Sequence, residues 1–145
     1  MESNYLVGFR FQLSFQGEDA AFQEVSGISK EMSVEEVTCG GENRFKYRLP
    51  TVSSSQNLVL KRARVSEKSS LINWCIFSLD KSLAYKLNPK DVTVSLLNES
   101  GDVTMKWLFY NAYPIKYSIS DLKSDQNELL IETIELAYSY FEIPN

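Results

Sequence analysis

Between Phe9 and Gln16 the chain alternates strictly, with Phe9, Phe11, Leu13 and Phe15 on one face of an extended segment and Arg10, Gln12, Ser14 and Gln16 on the other. Such a period of two predicts a half-buried strand, ended by Gly17-Glu18-Asp19. Phe22 to Ile28 predicts a second short strand, in which Gly27 marks a bulge or a close approach of backbone. Met32–Cys39 and Arg44–Leu49 then face each other across Gly40-Gly41-Glu42-Asn43 as a hairpin. One arm is acidic, with Glu31, Glu35 and Glu36, and the other basic, with Arg44, Lys46 and Arg48. Opposite charges across strands contribute about 0.2–1 kcal/mol per pair, enough to bias register but not to hold the element together. Pro50 has no N–H for a ladder and should end the basic strand before the polar loop Thr51 to Gln56.

Strand pattern resumes at Asn57–Arg62, and one segment then changes period. Leu71, Ile72, Cys75, Ile76, Leu79 and Leu83 recur at helical spacing, widened by Trp74 and Phe77, with Ser66 as a candidate N-cap. A helix this apolar is buried on more than one side, within its own domain or against another copy. Val92–Leu97 and Val103–Tyr110 flank Asn98-Glu99-Ser100-Gly101-Asp102 as a clear hairpin. Tyr113 to Tyr117, with Pro114, reads as an irregular or edge strand. Glu128 to Ile143 mixes helix-favouring glutamates with Ile131, Thr133, Ile134, Tyr138, Tyr140 and Phe141; the β-branched and aromatic content favours strand.

Composition narrows the chemistry. The 145 residues suit one domain spanning 1–145, and no Pro/Gly/Ser linker divides them. There is no histidine, which removes imidazole base catalysis, His-paired nucleophiles and His-ligated metals. Cys39 and Cys75 lack metal or redox spacing and read as idle thiols. A net charge of −4 offers no basic track for a phosphate backbone, so no nucleic-acid partner is expected. Lys61-Arg62-Ala63-Arg64, the longest basic cluster, reads as a solvated strand end. No membrane span or cleaved signal is visible, so synthesis and assembly are expected in the cytoplasm.

Catalytic, metal and cofactor sites are equally unsupported. Gly40-Gly41 is followed by Glu42, whose charge repels phosphate. Glu35 and Glu36 are adjacent on a strand and so point to opposite faces. Asp121, Asp125 and Glu128 lack the glycine and spacing of a calcium loop.

The order of segments carries more than any one of them. Phe9-Arg10-Phe11, Phe22-Gln23-Glu24-Val25-Ser26-Gly27-Ile28, Gly40-Gly41-Glu42-Asn43, Leu49-Pro50-Thr51, Leu58-Val59-Leu60-Lys61-Arg62, the Trp74 helix, Asp91–Leu97, Trp107–Pro114 and Glu132–Ala137 together resemble the phage tail tube family of contractile injection systems. Ala63 stands where that family usually has glycine. The resemblance implies a mainly β fold with one flanking helix, a β-sandwich whose strands join a hexameric ring β-barrel. It implies a structural, non-enzymatic subunit whose rings stack into an inner tube, with sheath and baseplate proteins as partners and effector cargo in the lumen. It also implies that the 40–56 loop reaches an adjacent ring, which makes Gly40, Gly41, Glu42, Asn43, Arg44, Lys46 and Arg48 candidate ring-stacking or subunit contacts. Polar positions of the long strands would line the lumen.

Two alternatives stand beside this reading. One is a tube-initiating baseplate paralogue of the same family. The other is a monomeric β-barrel carrier holding an apolar ligand among Phe9, Phe11, Phe15 and Trp107.

Overall fold

The computed structural model describes residues 9–38, 46–51, 56–63, 69–81, 88–120 and 130–145. Along the chain run β1 (Arg10–Phe15), β2 (Glu18–Phe22), β3 (Glu24–Ser26), β4 (Ser33–Thr38), β5 (Lys46–Thr51) and β6 (Leu58–Arg62). The helix α1 (Ser70–Lys81) follows, then β7 (Lys90–Leu97), β8 (Val103–Ile119), β9 (Glu132–Ala137) and β10 (Tyr140–Glu142). The fold is mainly β, with one helix among the described residues. Its sheet has the order β2-β1-β7-β8-β9-β6-β3, with β10 beside β8, while β4 and β5 form a separate pair.

The strand over Phe9–Gln16 is present, but Gly17-Glu18-Asp19 does not end the ladder. Gln16 and Gly17 both take positive φ, 49° and 82°, and make a tight turn whose twist matches its flanking strands. Glu18 and Asp19 therefore open the returning arm, with Phe15 opposite Glu18 and Phe11 opposite Phe22. The register is reinforced where Ser14 donates to Asp19 across the pair at 2.8 Å.

β8 organises everything after the helix. Its 17 residues pair first with β7 and then with β9, so two layers share one strand. The change of partner falls between Ala112 and Tyr113, just after Asn111, whose φ is 57°, and between register shifts at Lys90/Val92 and Pro114/Lys116. Tyr113–Tyr117 continues β8 but pairs with β9 alone among the described residues and carries the register shift at Pro114/Lys116, so it is the irregular edge segment the sequence suggested, and Pro114 is accommodated there. The strand reading of the C-terminal run holds as β9 and β10, separated by Tyr138 and Ser139, with Ser139 N–H donating to the Tyr110 carbonyl at 2.9 Å.

Between the layers lie Leu13, Phe15, Phe22, Val94 and Phe109 from one half and Leu58, Leu60, Ile134 and Leu136 from the other. α1 covers one side of this core through Leu71, Ile72, Trp74 and Cys75, with the Trp74 ring 4.8 Å from that of Phe15. Its first turn is capped by Ser69, whose Oγ accepts the Ile72 N–H at 3.2 Å. Ser69, not Ser66, is therefore the capping residue; Ser66 and Leu83 lie outside the described residues. The Glu18 carboxylate adds to the cap by accepting from Ser70 N–H and Oγ–H, an anion placed where the helix dipole favours one. Ile76 and Phe77 on α1 are exposed, in contrast to Leu71, Ile72, Trp74 and Cys75.

Two local features have direct physical causes. Gly27 has a φ of 92°, and a Cβ there would stand 1.8 Å from the Asn57 carbonyl oxygen, so the close approach expected at this glycine is real. Arg62, expected on a solvated strand end, is buried instead. Its Nε donates at 2.5 Å to the wholly buried Glu132, which also accepts from the Tyr117 hydroxyl at 2.5 Å. The guanidinium lies over the Phe22 ring, 4.9 Å from its centroid, so the charge is enclosed by an aromatic face and a carboxylate.

Candidate assembly surfaces

No group of three or more metal-ligating carboxylates and thiols occurs among the described residues, and no described helix is long and apolar enough to cross a membrane. Cys75 is buried, and burial, then the nearby Glu132 charge, pushes its thiol up to about 12. Cys39 lies outside the described residues. The four aromatic residues proposed to hold an apolar ligand do not line a common cavity: Phe15 is packed against Trp74, whereas Phe9 is 67% exposed.

The β4–β5 hairpin is the first surface that the fold leaves unexplained. Its arms pair from Ser33↔Thr51 to Thr38↔Lys46, placing Glu36 opposite Arg48 and Glu35 opposite Leu49. The acidic and basic arms thus meet as the sequence suggested. β5 continues through Pro50 to Thr51; among the described residues it pairs with β4 alone, so no second neighbour there needs the missing N–H. Neither strand joins the main sheet, and Met32, Val34, Glu35, Glu36, Arg48 and Leu49 are all exposed. A lone two-stranded hairpin is marginal in water, so this one needs a surface to rest on. Gly40, Gly41, Glu42, Asn43 and Arg44, the turn candidates, lie outside the described residues; Lys46 and Arg48 fall on β5.

The second surface is the side of β1, β7, β8 and β10 that faces away from the core. Alternation sends Leu13, Val94 and Phe109 inward, and so turns Gln12 and Ser14, Thr93 and Ser95, and Lys106, Leu108 and Tyr110 to the other side. This wall is mostly polar, in contrast to the core face behind it. Near its margin the Tyr110 and Tyr140 rings stack at 4.6 Å, and the Tyr110 hydroxyl donates to Glu142 at 2.5 Å. That hydrogen bond to a carboxylate is the main cause holding the Tyr110 phenol up at about 12.

Open strand edges are the third. The sheet path ends at β2 and β3, and β10 covers β8 only at Leu108–Tyr110. Among the described residues, Val103–Trp107 pairs on one side alone, with β7. Unpaired edges of this kind are templates for another strand. Of these three surfaces, sequence reasoning found the hairpin; the polar wall became visible only once register fixed which alternating positions share a side.

Comparison with known proteins converges on one architecture. The family model described as T4-like virus tail tube protein gp19 matches residues 7–142. A chain in the six-fold symmetrised baseplate of the anti-feeding prophage is 29% identical, with a TM-score of 0.73 over 94% of this chain and 92% of that one. A chain from the sheath–tube complex of an extracellular contractile injection system, PVC, in the extended state is 26% identical, with a TM-score of 0.76 over 93% of this chain and 88% of that one. Hcp1 from Flavobacterium johnsoniae shares the fold at 16% identity, with a TM-score of 0.59 and coverage of 92% and 94%. A search of the curated proteins returns no match.

Proposed function

Since this chain belongs to the T4-like virus tail tube protein gp19 family, we propose that it is the inner-tube subunit of a phage-tail-like contractile injection system. The observation that carries this reading is the near full-length likeness to a chain in a sheath–tube complex, joined to a sheet with one polar wall and unpaired edges. Six copies would form a ring in which the exposed edges of neighbouring sheets pair, a closed symmetric way to remove them. The six-fold symmetrised particle of the anti-feeding prophage neighbour supports that copy number.

In such a ring the polar wall carrying Gln12, Ser14, Thr93, Lys106 and Tyr110 would line the lumen, and cargo would pass along hydroxyl and amide groups rather than an adhesive apolar surface. The helix side would face outward, towards a sheath. The hairpin, with Lys46 and Arg48 on β5, would reach an adjacent ring. Assembly would take place in the cytoplasm, together with baseplate and sheath proteins.

A second reading has its own support. The likeness to a chain within a baseplate fits a tube-initiating paralogue confined to the first ring. Electron microscopy of purified protein at increasing concentration tests the shared claim, with hollow rings or tubes expected. A protein that remains monomeric alone and in the presence of its particle's baseplate proteins overturns it. Immunogold labelling along the whole tube, rather than at one end, separates tube subunit from initiator.

A further inference from the structure

β10 touches two surfaces that the sheet order alone does not connect. Between the end of β3 at Ser26 and the start of β4 at Ser33 the chain crosses from the main sheet to the separate hairpin. Along this crossing Ile28 packs against the core, and the Gly27 carbonyl accepts from the Tyr138 hydroxyl at 3.0 Å. Lys30, just before β4, lies with its Nζ 4.3 Å from the centroid of the Phe141 ring and donates to the Phe141 carbonyl. Tyr138 and Phe141 are in turn held by Phe109, whose ring centroid is 4.8 Å from that of Tyr138 and 5.3 Å from that of Phe141. The residues on either side of Phe141 point the other way. Tyr140 stacks on Tyr110 of the polar wall, and Glu142 accepts from the Tyr110 hydroxyl.

We propose that β10 is a clasp that couples the polar wall to the hairpin, with Lys30 as the positioning residue that fixes the direction in which the hairpin leaves the body. The β4–β5 pair shares no ladder with the main sheet among the described residues, so its direction is set at its root. Gly27, at a φ of 92°, fixes where the crossing begins, and Lys30 fixes where it points. β10 has three residues and, among the described residues, pairs with β8 alone, so side-chain contacts on its two faces carry much of its placement. An exposed cation–π contact shifts an equilibrium by about two- to fivefold. Joined to one hydrogen bond, the Lys30 contact is firm enough to bias the hairpin and weak enough to release it. The coupling is reciprocal: whatever holds Tyr140 against Tyr110 also holds Phe141 under Lys30, and displacing the wall tyrosines frees the hairpin root. The route runs through touching rings and hydrogen bonds of one copy, so it does not depend on the tube reading.

Spin labels at Glu35→Cys on the hairpin and Asp80→Cys on α1, both exposed positions, read the distance between hairpin and body by pulsed electron spin resonance in a Cys39→Ser background. Cys75 is buried and stays unlabelled. In dilute, unassembled protein the parent should give one narrow distance. Lys30→Met keeps an unbranched chain but neither charge nor donor, so the narrow distance should be lost to a broad distribution; Lys30→Arg, which retains both, should restore it. Tyr140→Ala, at a position 52% exposed, should lose the narrow distance as well. The Lys30→Met/Tyr140→Ala pair should be no broader than Lys30→Met alone, since both changes break one linkage.

A parent that is already broad, or a Lys30→Met protein whose distance stays narrow, overturns the proposal. So does broadening by Lys30→Met with none by Tyr140→Ala, which would make Lys30 a local tether with no link to the wall. None of these outcomes bears on the tube reading, which electron microscopy of wild-type protein tests separately.

Discussion

Arg62→Met isolates the buried ion pair. Glu132 is wholly buried and the Arg62 side chain is 10% exposed, so neither charge is relieved by water when its partner is lost. Methionine keeps an unbranched apolar side chain at this position but removes both the guanidinium over Phe22 and the donor that reaches Glu132 at 2.5 Å. The Tyr117 hydroxyl still donates to the other carboxylate oxygen, which limits the damage without replacing a charge. Breaking one member of a buried pair costs about 3–5 kcal/mol, against a total of about 5–15 kcal/mol for a domain. The assay is urea unfolding of dilute, unassembled subunit followed by tryptophan fluorescence, with the denaturant slope compared to detect any change in the states themselves. The double variant Arg62→Met/Glu132→Leu should recover about 2 kcal/mol or more relative to the sum of the single losses, since it removes the stranded charge. A single-variant cost below about 1 kcal/mol, the range of an exposed pair, or simple additivity of the two changes, would refute this reasoning.

Other outcomes follow from named contacts. Gly27→Ala should cost about 2–4 kcal/mol by urea unfolding, because the new methyl meets the Asn57 carbonyl at a positive φ; a loss within 0.5 kcal/mol, about what surface changes produce, would contradict that. Ser69→Ala should cost about 1 kcal/mol through loss of the helix cap, measured the same way. The Cys75 thiol titrates near 12 when folded against an ordinary 9.0, so its contribution to stability is complete below about 9 and is lost as pH rises towards 12; Cys75→Ala should flatten that alkaline slope, and an unchanged slope would count against it. Absorbance titration should find the Tyr110 phenol ionising near 12, and Glu142→Gln should bring it down towards 10.0.

Elements whose evidence is local were legible in the sequence. The alternation of Phe11, Leu13 and Phe15, the Gly-containing loop after Leu97 and the helical spacing of Leu71, Ile72 and Cys75 each reflect one element burying one side. What escaped depends on distant partners. Arg62 looks like any basic strand end until Glu132, 70 residues away, is folded against it. The Gln16-Gly17 turn was hidden because glutamine is an unusual occupant of positive φ. Tyr113–Tyr117 was legible as an irregular or edge strand, whereas its continuity with Val103–Ala112 in one 17-residue β8 depends on β7 and β9, partners distant in sequence. The hairpin was legible as an acidic and a basic arm, and its contact candidates came from the family resemblance, but its register, Glu36 with Arg48 and Glu35 with Leu49, shows that each face mixes charge with apolar area.

The central claim is that open sheet edges and a polar wall are resolved by ring closure, and a cryo-EM reconstruction of the assembled particle tests it most directly. The account predicts stacked six-fold rings around a hollow axis, with Gln12, Thr93 and Lys106 facing the lumen and α1 facing outward. A map in which this protein is absent from the axial tube, or in which the helix side lines the channel and the polar wall is turned away, would contradict it.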